Sequence, residues 1–351
     1  MMATDNTAVL SKFNGLCAEH GLLDRRDGME ESDRADGITD ATTLLRFLKA
    51  NRMDVSAALK QFREATKFHC TKNVTQLYDL INVDDFEDTR KLYPHWTGRR
   101  DSRGLPIFMI DVAHLDQEAI SHWRETTEIS SHDSCADINN TRPDMAQRAC
   151  VLHDYITRFV FPLCSAMHDR PQSPEPVSRS VYLIDASSLG FKQAWDLRDF
   201  AREITWILST CYPETIDRIH VCNAPTYFSQ MWNILKKFVD PVTAEKIVVL
   251  KSVDVYPVLN QSIHHDDIPT QFGGGFDFSN GMLPNLCPAI QYTLNWSDPS
   301  STTLPPGPIK WKENGDDRIA IATGTVDGVQ RAIKVASLVG CDEKCPEALF
   351  S

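Results

Sequence analysis

From Asp40 onward, apolar positions recur at helical spacing. Leu44, Leu45, Phe47 and Leu48 form one dense run, and Leu59, Phe62, Ala65 and Phe68 form a second. Asp54 suits the N-cap of the second run, and Asn51-Arg52-Met53 joins the two, which predicts an αα-hairpin. An acidic stretch over 84–88 leads to Tyr93-Pro94-His95-Trp96, a turn at Asp101-Ser102-Arg103-Gly104 and an apolar run from Ile107 to Asp111; together these predict a β-hairpin. Residues 125–143 are polar and turn-rich. Met145 to Met167 is periodic enough for a long helix broken at Pro162. Val181–Asp185, Ile219–Cys222 and Ile247–Leu250 then alternate with helix-compatible stretches, one of them carrying Trp195, Phe200, Ile204, Ile207 and Leu208. That alternation predicts an α/β fold with a largely parallel sheet and crossover helices.

The stretch from Tyr212 to Leu250 reads as strand, helix, helix, strand. Pro225 suits a first helical turn, and Phe228, Met231, Trp232, Leu235, Phe238 and Val239 follow at three- and four-residue spacing, with Ser229, Gln230, Asn233, Lys236 and Lys237 on the other face. Taken by itself, such a stripe is core packing of a crossover helix. Asp240-Pro241 stops the helix and starts a second, short one. Beyond Gly273-Gly274-Gly275 the composition changes: Pro305-Pro306-Gly307-Pro308 reads as a linker, and the runs at 309–312 and 318–322 flank Asn314-Gly315, which predicts a C-terminal hairpin. Residues 24–40 read as a solvated connection, with order beginning near Asp40.

The chain's 351 residues are enough for a substantial core, and a net charge of −12 leaves no footprint for nucleic acid and argues against lasting electrostatic attachment to an anionic membrane. Ten cysteines without a C-x-x-C pair, several inside apolar runs, point to a reducing compartment. The start lacks a leader pattern, and the longest apolar stretch, Phe159 to Met167, is too short to span a bilayer, so a soluble, cytoplasmic protein is expected. No phosphate loop, nucleophile-elbow motif or zinc-binding H-E-x-x-H is present. His264-His265-Asp266-Asp267 has metal-ligand residue types, but adjacent side chains diverge, and a solvated helix end is the better reading. Asp185, Ser187 and Ser188 suit a turn or helix cap, and Gly273 to Gly275 a turn or hinge.

Five segments appear in order. They are the run from Leu44 to Val55, Tyr212-Pro213-Glu214, Asn223-Ala224-Pro225, Asp240-Pro241-Val242-Thr243 with Lys246-Ile247, and Ile268 to Gly274. From about Asp40 to Gly275 the chain thus resembles the CRAL-TRIO lipid-binding family, and within it the fungal phosphatidylinositol transfer branch. The resemblance implies a non-enzymatic carrier: an N-terminal extension (1–39), a helical lobe (40–92), a lipid-binding α/β domain (93–283) and a C-terminal extension (284–351) with a hairpin. It also implies an apolar pocket floored by the sheet and closed by a gate helix over about 226–239. Phe228, Met231, Trp232, Leu235 and Phe238 are then its gate and pocket residues, with Gly273 and Gly274 as hinge. Such a slot answers a physical need. At about 0.8 kcal/mol per methylene, moving one long acyl chain through water costs more than roughly 10 kcal/mol.

By the same resemblance, Arg52, Glu214 and Lys246 hold an inositol-lipid headgroup, Arg52 and Lys246 as charge-assisted donors and Glu214 as acceptor. Two further basic positions of the branch are Asn51 and Thr215 here. A surface salt bridge between Glu214 and Lys246 is the plainer alternative. For a choline headgroup the branch uses a Ser and a Thr; here Ser180 matches and Tyr182 replaces the Thr. The altered pocket also suits a sterol, another isoprenoid or a haem, with Tyr182 or His220 as the polar contact. Bound phospholipid rather than a cofactor, a transient membrane surface, and a lipid kinase as partner complete the expectation; nucleic acid is excluded. A lipid-sensing regulatory module and a hydrolase-like enzyme are the alternatives.

Overall fold

The computed structural model describes residues 2–115, 143–171, 175–237, 241–315 and 317–338. Its helices begin with α1 (Met2–Glu19), α2 (Ala41–Ala50), α3 (Val55–Thr71), α4 (Val74–Leu80) and α5 (Val83–Lys91). The hairpin β1 (His95–Arg100) and β2 (Pro106–Asp111) follows, then α6 (Met145–Tyr155), α7 (Phe161–Ser165), β3 (Ser180–Asp185), α8 (Phe191–Asp196), α9 (Arg198–Cys211) and β4 (Ile216–Cys222). Next come α10 (Phe228–Leu235), α11 (Pro241–Glu245), β5 (Ile247–Val249), α12 (Ser252–Leu259) and α13 (Pro288–Thr293). The chain closes with β6 (Leu294–Trp296), β7 (Ile309–Asn314), β8 (Asp317–Ala322), β9 (Thr325–Val326), β10 (Val329–Gln330) and β11 (Ile333–Leu338).

The central sheet has the order β1-β2-β3-β4-β5, with β2 to β5 parallel and β1 antiparallel at one edge. Strand alternation divides its residues between two cores. Phe108 and Tyr182 lie with the helical lobe on one face, whereas Ile107, Met109, Val181 and Leu183 pack on the other against Val255, Leu259, Phe272 and Phe276. The register of β3 on β4 shifts between Ser180↔Ile216 and Val181↔Arg218. This bulge inserts one residue, so Ile216 and Ile219, three apart, both reach the helical-lobe face.

Two expectations are corrected by the helices. Order does not begin near Asp40: α1 precedes it, with Phe13 and Cys17 buried at i and i+4. The break in the long helix falls before Pro162 rather than at it. Ile156–Val160 forms a π-turn in which the Phe161 N–H reaches back to the Ile156 carbonyl, because Pro162 offers no N–H and its ring crowds the turn before it. Residues 305–308 are also not a free linker. Gly307 N–H donates to Glu87 (2.8 Å) and Leu304 is buried.

The C-terminal hairpin is present as β7 and β8, but it belongs to a four-stranded antiparallel sheet, β6-β11-β8-β7. Trp311 stacks on Phe159 and donates Nε1–H to the Phe159 carbonyl, Tyr78 donates to the Ile309 carbonyl, and buried Lys310 sits between Asp33 (2.7 Å) and Asp79 (2.5 Å). This sheet shares the main core with the helical lobe.

Candidate lipid-binding site

The helical-lobe face of the sheet floors a cavity of about 120 Å³. Phe108, Tyr182, Ile184, Ile216 and Ile219 form the floor, Leu152, Tyr155 and Ile156 one wall, and Ile204 and Leu208 of α9 another. The polar groups in the walls are largely committed to the protein. His153 Nδ1 pairs with the Ala149 carbonyl (2.7 Å). His95 Nδ1 pairs with the Tyr93 carbonyl (3.0 Å) while its Nε2 accepts from the Gly281 N–H (3.0 Å). Burial lowers both imidazoles to about 4, so both are neutral at pH 7. Arg90 donates to the Met282 and Gly281 carbonyls and to Glu87. The cavity mainly offers a guest apolar surface; the Tyr182 ring stacks on Phe108, and burial pushes the Tyr182 pKa up to about 12.

A second recess, of about 130 Å³, opens beside the first. It holds Glu214 and Lys246, whose side chains meet at 3.2 Å, with Gln61, Thr243 and Val242 around them. Leu208 and Ile216 line both spaces. Among the described residues, only these two side chains are common to the apolar cavity and the charged recess. Glu214 stands at φ 56, a left-handed conformation unfavourable for a side-chain-bearing residue, and the turn that imposes it is anchored from below. Tyr212 donates to Asp154 (2.7 Å), and buried Arg46 donates to the Pro213 carbonyl (3.3 Å). Lys246 arrives from the short helix α11, just before β5.

The other anticipated residues distribute unevenly. Arg52 is exposed in the turn between α2 and α3, two residues from Ala50, which lines the charged recess, but Arg52 itself is not among the lining residues. Asn51 is engaged by Gln61 (2.5 Å), and Gln61 in turn donates to the Ser209 carbonyl (2.8 Å). An amide pair thus stands where the family resemblance implies a cation. Gln61 was missed, since nothing in its helical context marks it. Thr215 donates its hydroxyl to the Tyr212 carbonyl and Ser180 donates its own to the Thr215 carbonyl (3.0 Å), so both hold the turn together. His220 is corrected as a pocket contact. Its register partner is Leu183, on the sheet face opposite Tyr182, and its buried Nδ1 has no hydrogen-bond partner.

The predicted gate helix begins at Phe228 rather than Pro225, because Asn223 (φ 54) and a turn closed by Phe228 N–H to the Pro225 carbonyl occupy the intervening residues. Phe228 and Met231 are buried and Trp232 half-buried, packed with Val221, Ala186 and Leu189. Ile184 and Ile219 touch this cluster and also line the apolar cavity, so α10 covers the continuation of the cavity floor. The Leu235 side chain and all of Phe238 lie outside the described residues. Gly273 (φ 87) and Gly274 close a tight turn on the far face of the sheet, where a Cβ on Gly274 would stand 2.1 Å from the Ile268 carbonyl oxygen. Close packing alone therefore requires glycine there. Among the described residues no helix is long and apolar enough to cross a membrane.

Known proteins share this organisation. The CRAL/TRIO N-terminal domain profile matches residues 9–64, which takes in part of α1. The SEC14 cytosolic factor of Candida glabrata is 25% identical over 258 residues, 73% of this chain and 78% of that protein, and the Sec14 cytosolic factor of Schizosaccharomyces pombe is 25% identical over 243 residues, 69% and 77%. The phosphatidylinositol/phosphatidylcholine transfer protein SFH11 of Arabidopsis thaliana is 26% identical over 271 residues, 77% of this chain and 63% of that protein. The crystal structure of Sfh5 superposes with a TM-score of 0.55 at 13% identity, over 82% of this chain and 94% of that one, and so shares the fold. The CRAL/TRIO domain profile itself matches residues 90–274, more than half of the sequence, and the chain belongs to the CRAL/TRIO family.

Proposed function

We propose that this protein is a non-enzymatic carrier that binds one phospholipid and exchanges it between membranes, working in the cytosol with transient membrane contact. The observation that carries the reading is the adjacency of two unlike spaces: an apolar cavity with its wall polar groups largely committed, and a charged recess that shares Leu208 and Ile216 with it. Acyl chains suit the first and a headgroup the second. The names of the relatives, among them a phosphatidylinositol/phosphatidylcholine transfer protein, support the ligand class. Loading requires the walls to move, because about 120 Å³ falls short of the roughly 300–1,000 Å³ of pockets for much smaller ligands. Lifting α10 off the sheet would expose Ile184, Ile219 and Val221 to the incoming chain, which makes α10 the gate.

In the loaded protein Lys246 meets phosphate and Glu214 accepts from inositol hydroxyls, their mutual ion pair opening to admit the headgroup. The test is transfer of labelled phosphatidylinositol and phosphatidylcholine between vesicle populations. Lys246→Ala removes a charge-assisted hydrogen bond, so inositol-lipid transfer is expected to fall about tenfold with choline-lipid transfer little changed. Equal loss of both would remove the headgroup assignment, and absence of transfer by the unaltered protein would remove the carrier reading.

A further inference from the structure

A third space, a cleft of about 290 Å³, lies where the start of α2, the π-turn with α7 and strand β8 meet. It is larger than the apolar cavity or the charged recess, and among the described residues it shares no lining side chain with either. Two guanidinium groups line it. Arg46 of α2 is 3% exposed, yet it donates only to neutral oxygens, the Thr43 hydroxyl (3.1 Å) and the Pro213 carbonyl (3.3 Å), and has no ion pair among the described residues. Those bonds leave most of its N–H donors unused. Arg318 of β8 is half-buried, and among the described residues its side chain has neither a hydrogen bond nor an ion pair; its cross-strand neighbour Glu313 pairs with Arg34 instead (2.8 Å). The two carboxylates at the cleft are already engaged. Asp36 pairs with Arg34 (2.9 Å), and Asp40 accepts from the Thr43 hydroxyl and from the Gly37, Thr42 and Thr43 N–H groups as the N-cap of α2. Hydrogen-bonding capacity at the cleft is thus left mainly on the donor side.

We propose that this cleft binds a phosphate monoester, with Arg46 and Arg318 as the cations that hold the phosphate and Thr42 as a further hydroxyl donor. A guanidinium matches phosphate oxygens in geometry as well as in charge, and the match is worth most where water is scarce, as at Arg46. A buried cation bonded only to neutral oxygens is costly to keep, and an anion beside it offsets that cost. Thr42 is half-buried at the cleft, and among the described residues its hydroxyl has no partner. The volume approaches the lower end, about 300 Å³, of small-molecule sites, which leaves room for an organic group beyond the phosphate. Pro162, Pro176 and Val177 supply an apolar side for that group. The site stands apart from the carrier reading, because it uses neither the apolar cavity nor Lys246.

The experiment is equilibrium dialysis of the full chain against labelled glycerol 3-phosphate at constant ionic strength. One saturable site per chain is expected. Arg318→Ala removes a charge-assisted contact and should weaken binding about tenfold, and Arg318→Glu should abolish it. Both variants should keep their fold, since Arg318 has no partner to lose, and thermal unfolding without the ester checks this. Thr42→Val, which keeps the side chain's shape and removes only the hydroxyl, should weaken binding a few-fold. Lys251→Ala removes the same charge from an exposed side chain before α12 and should change nothing. A parallel arm uses phosphatidylcholine vesicles containing phosphatidic acid: sedimentation with them that Arg318→Glu abolishes, without binding of glycerol 3-phosphate, keeps the site and makes its ligand a lipid-borne monoester. Absence of binding to both probes, equal weakening by Lys251→Ala and Arg318→Ala, or retention of binding in all three cleft variants overturns the proposal. Loss in Lys246→Ala with none in Arg318→Glu also overturns it, by moving the phosphate to the headgroup recess, and leaves the carrier reading standing.

Discussion

Three buried histidines, His95, His153 and His220, share one electrostatic situation: desolvation lowers each to about 4, well below the unperturbed 6.5. Above pH 6.5 they are neutral in the folded and the unfolded chain and cost nothing. Between 6.5 and about 4 the unfolded chain takes up protons that the native one refuses, so stability falls as pH falls, by up to about 1.4 kcal/mol per pH unit for each ring. Thermal unfolding across that window should show the decline. His220→Leu removes a ring whose Nδ1 is already unsatisfied, so it should flatten the slope by one ring's share with little loss at neutral pH. An unchanged slope would mean that His220 is hydrated in the folded protein. Tyr182 is the other informative residue. Shortening it in Tyr182→Thr adds space beside Phe108, and bound lipid should shift toward phosphatidylcholine, read by mass spectrometry; an unchanged lipid profile would show that Tyr182 does not meet the ligand.

At the scale of elements, α10 separates a gate from an ordinary crossover helix. Trp232 stacks on Phe228 at 6.4 Å and is half-buried over the floor strand β4. Trp232→Asp places a carboxylate there at a cost of several kcal/mol, so lipid retention should collapse while the helical lobe and its separate core stay folded. Outright unfolding would make α10 a core element, and a folded variant that still carries lipid would make it neither. The sheet was legible in the sequence because β-branched runs at 181–185, 219–222 and 247–250 alternate with periodic stretches. Less local features were not. Helix α1 was overlooked for its polar neighbours, and β6 and β11 pair across some forty residues of chain that no local pattern joins. The bulge in β4 decides which of Ile219 and His220 faces the cavity, and a bulge leaves no mark in hydrophobic alternation. Glu214 and Lys246, 32 residues apart, were brought together by family resemblance rather than by spacing. Their contact, at least, is plain in the fold.

The whole molecule is tied together by its last hundred residues. Strand β7 brings Lys310 between Asp33 from the N-terminal segment and Asp79 from α4, and Trp311 covers the π-turn next to the cavity wall at Ile156. The C-terminal sheet therefore braces the wall of the apolar cavity from behind. Lys310→Met would leave buried Asp79 without its ion-pair partner and Asp33 with only Lys312 at 3.9 Å, and a loss of about 3–5 kcal/mol is expected in chemical denaturation. Retention of full stability would show that these carboxylates reach water. The apolar cavity beside the Glu214–Lys246 recess is the proposed lipid site. Its most direct test is solvent extraction of the purified protein followed by mass spectrometry. About one phospholipid per chain, enriched over the host's bulk lipid and lost in Trp232→Asp, is the predicted result; a chain purified without phospholipid that also takes up none from vesicles would contradict it.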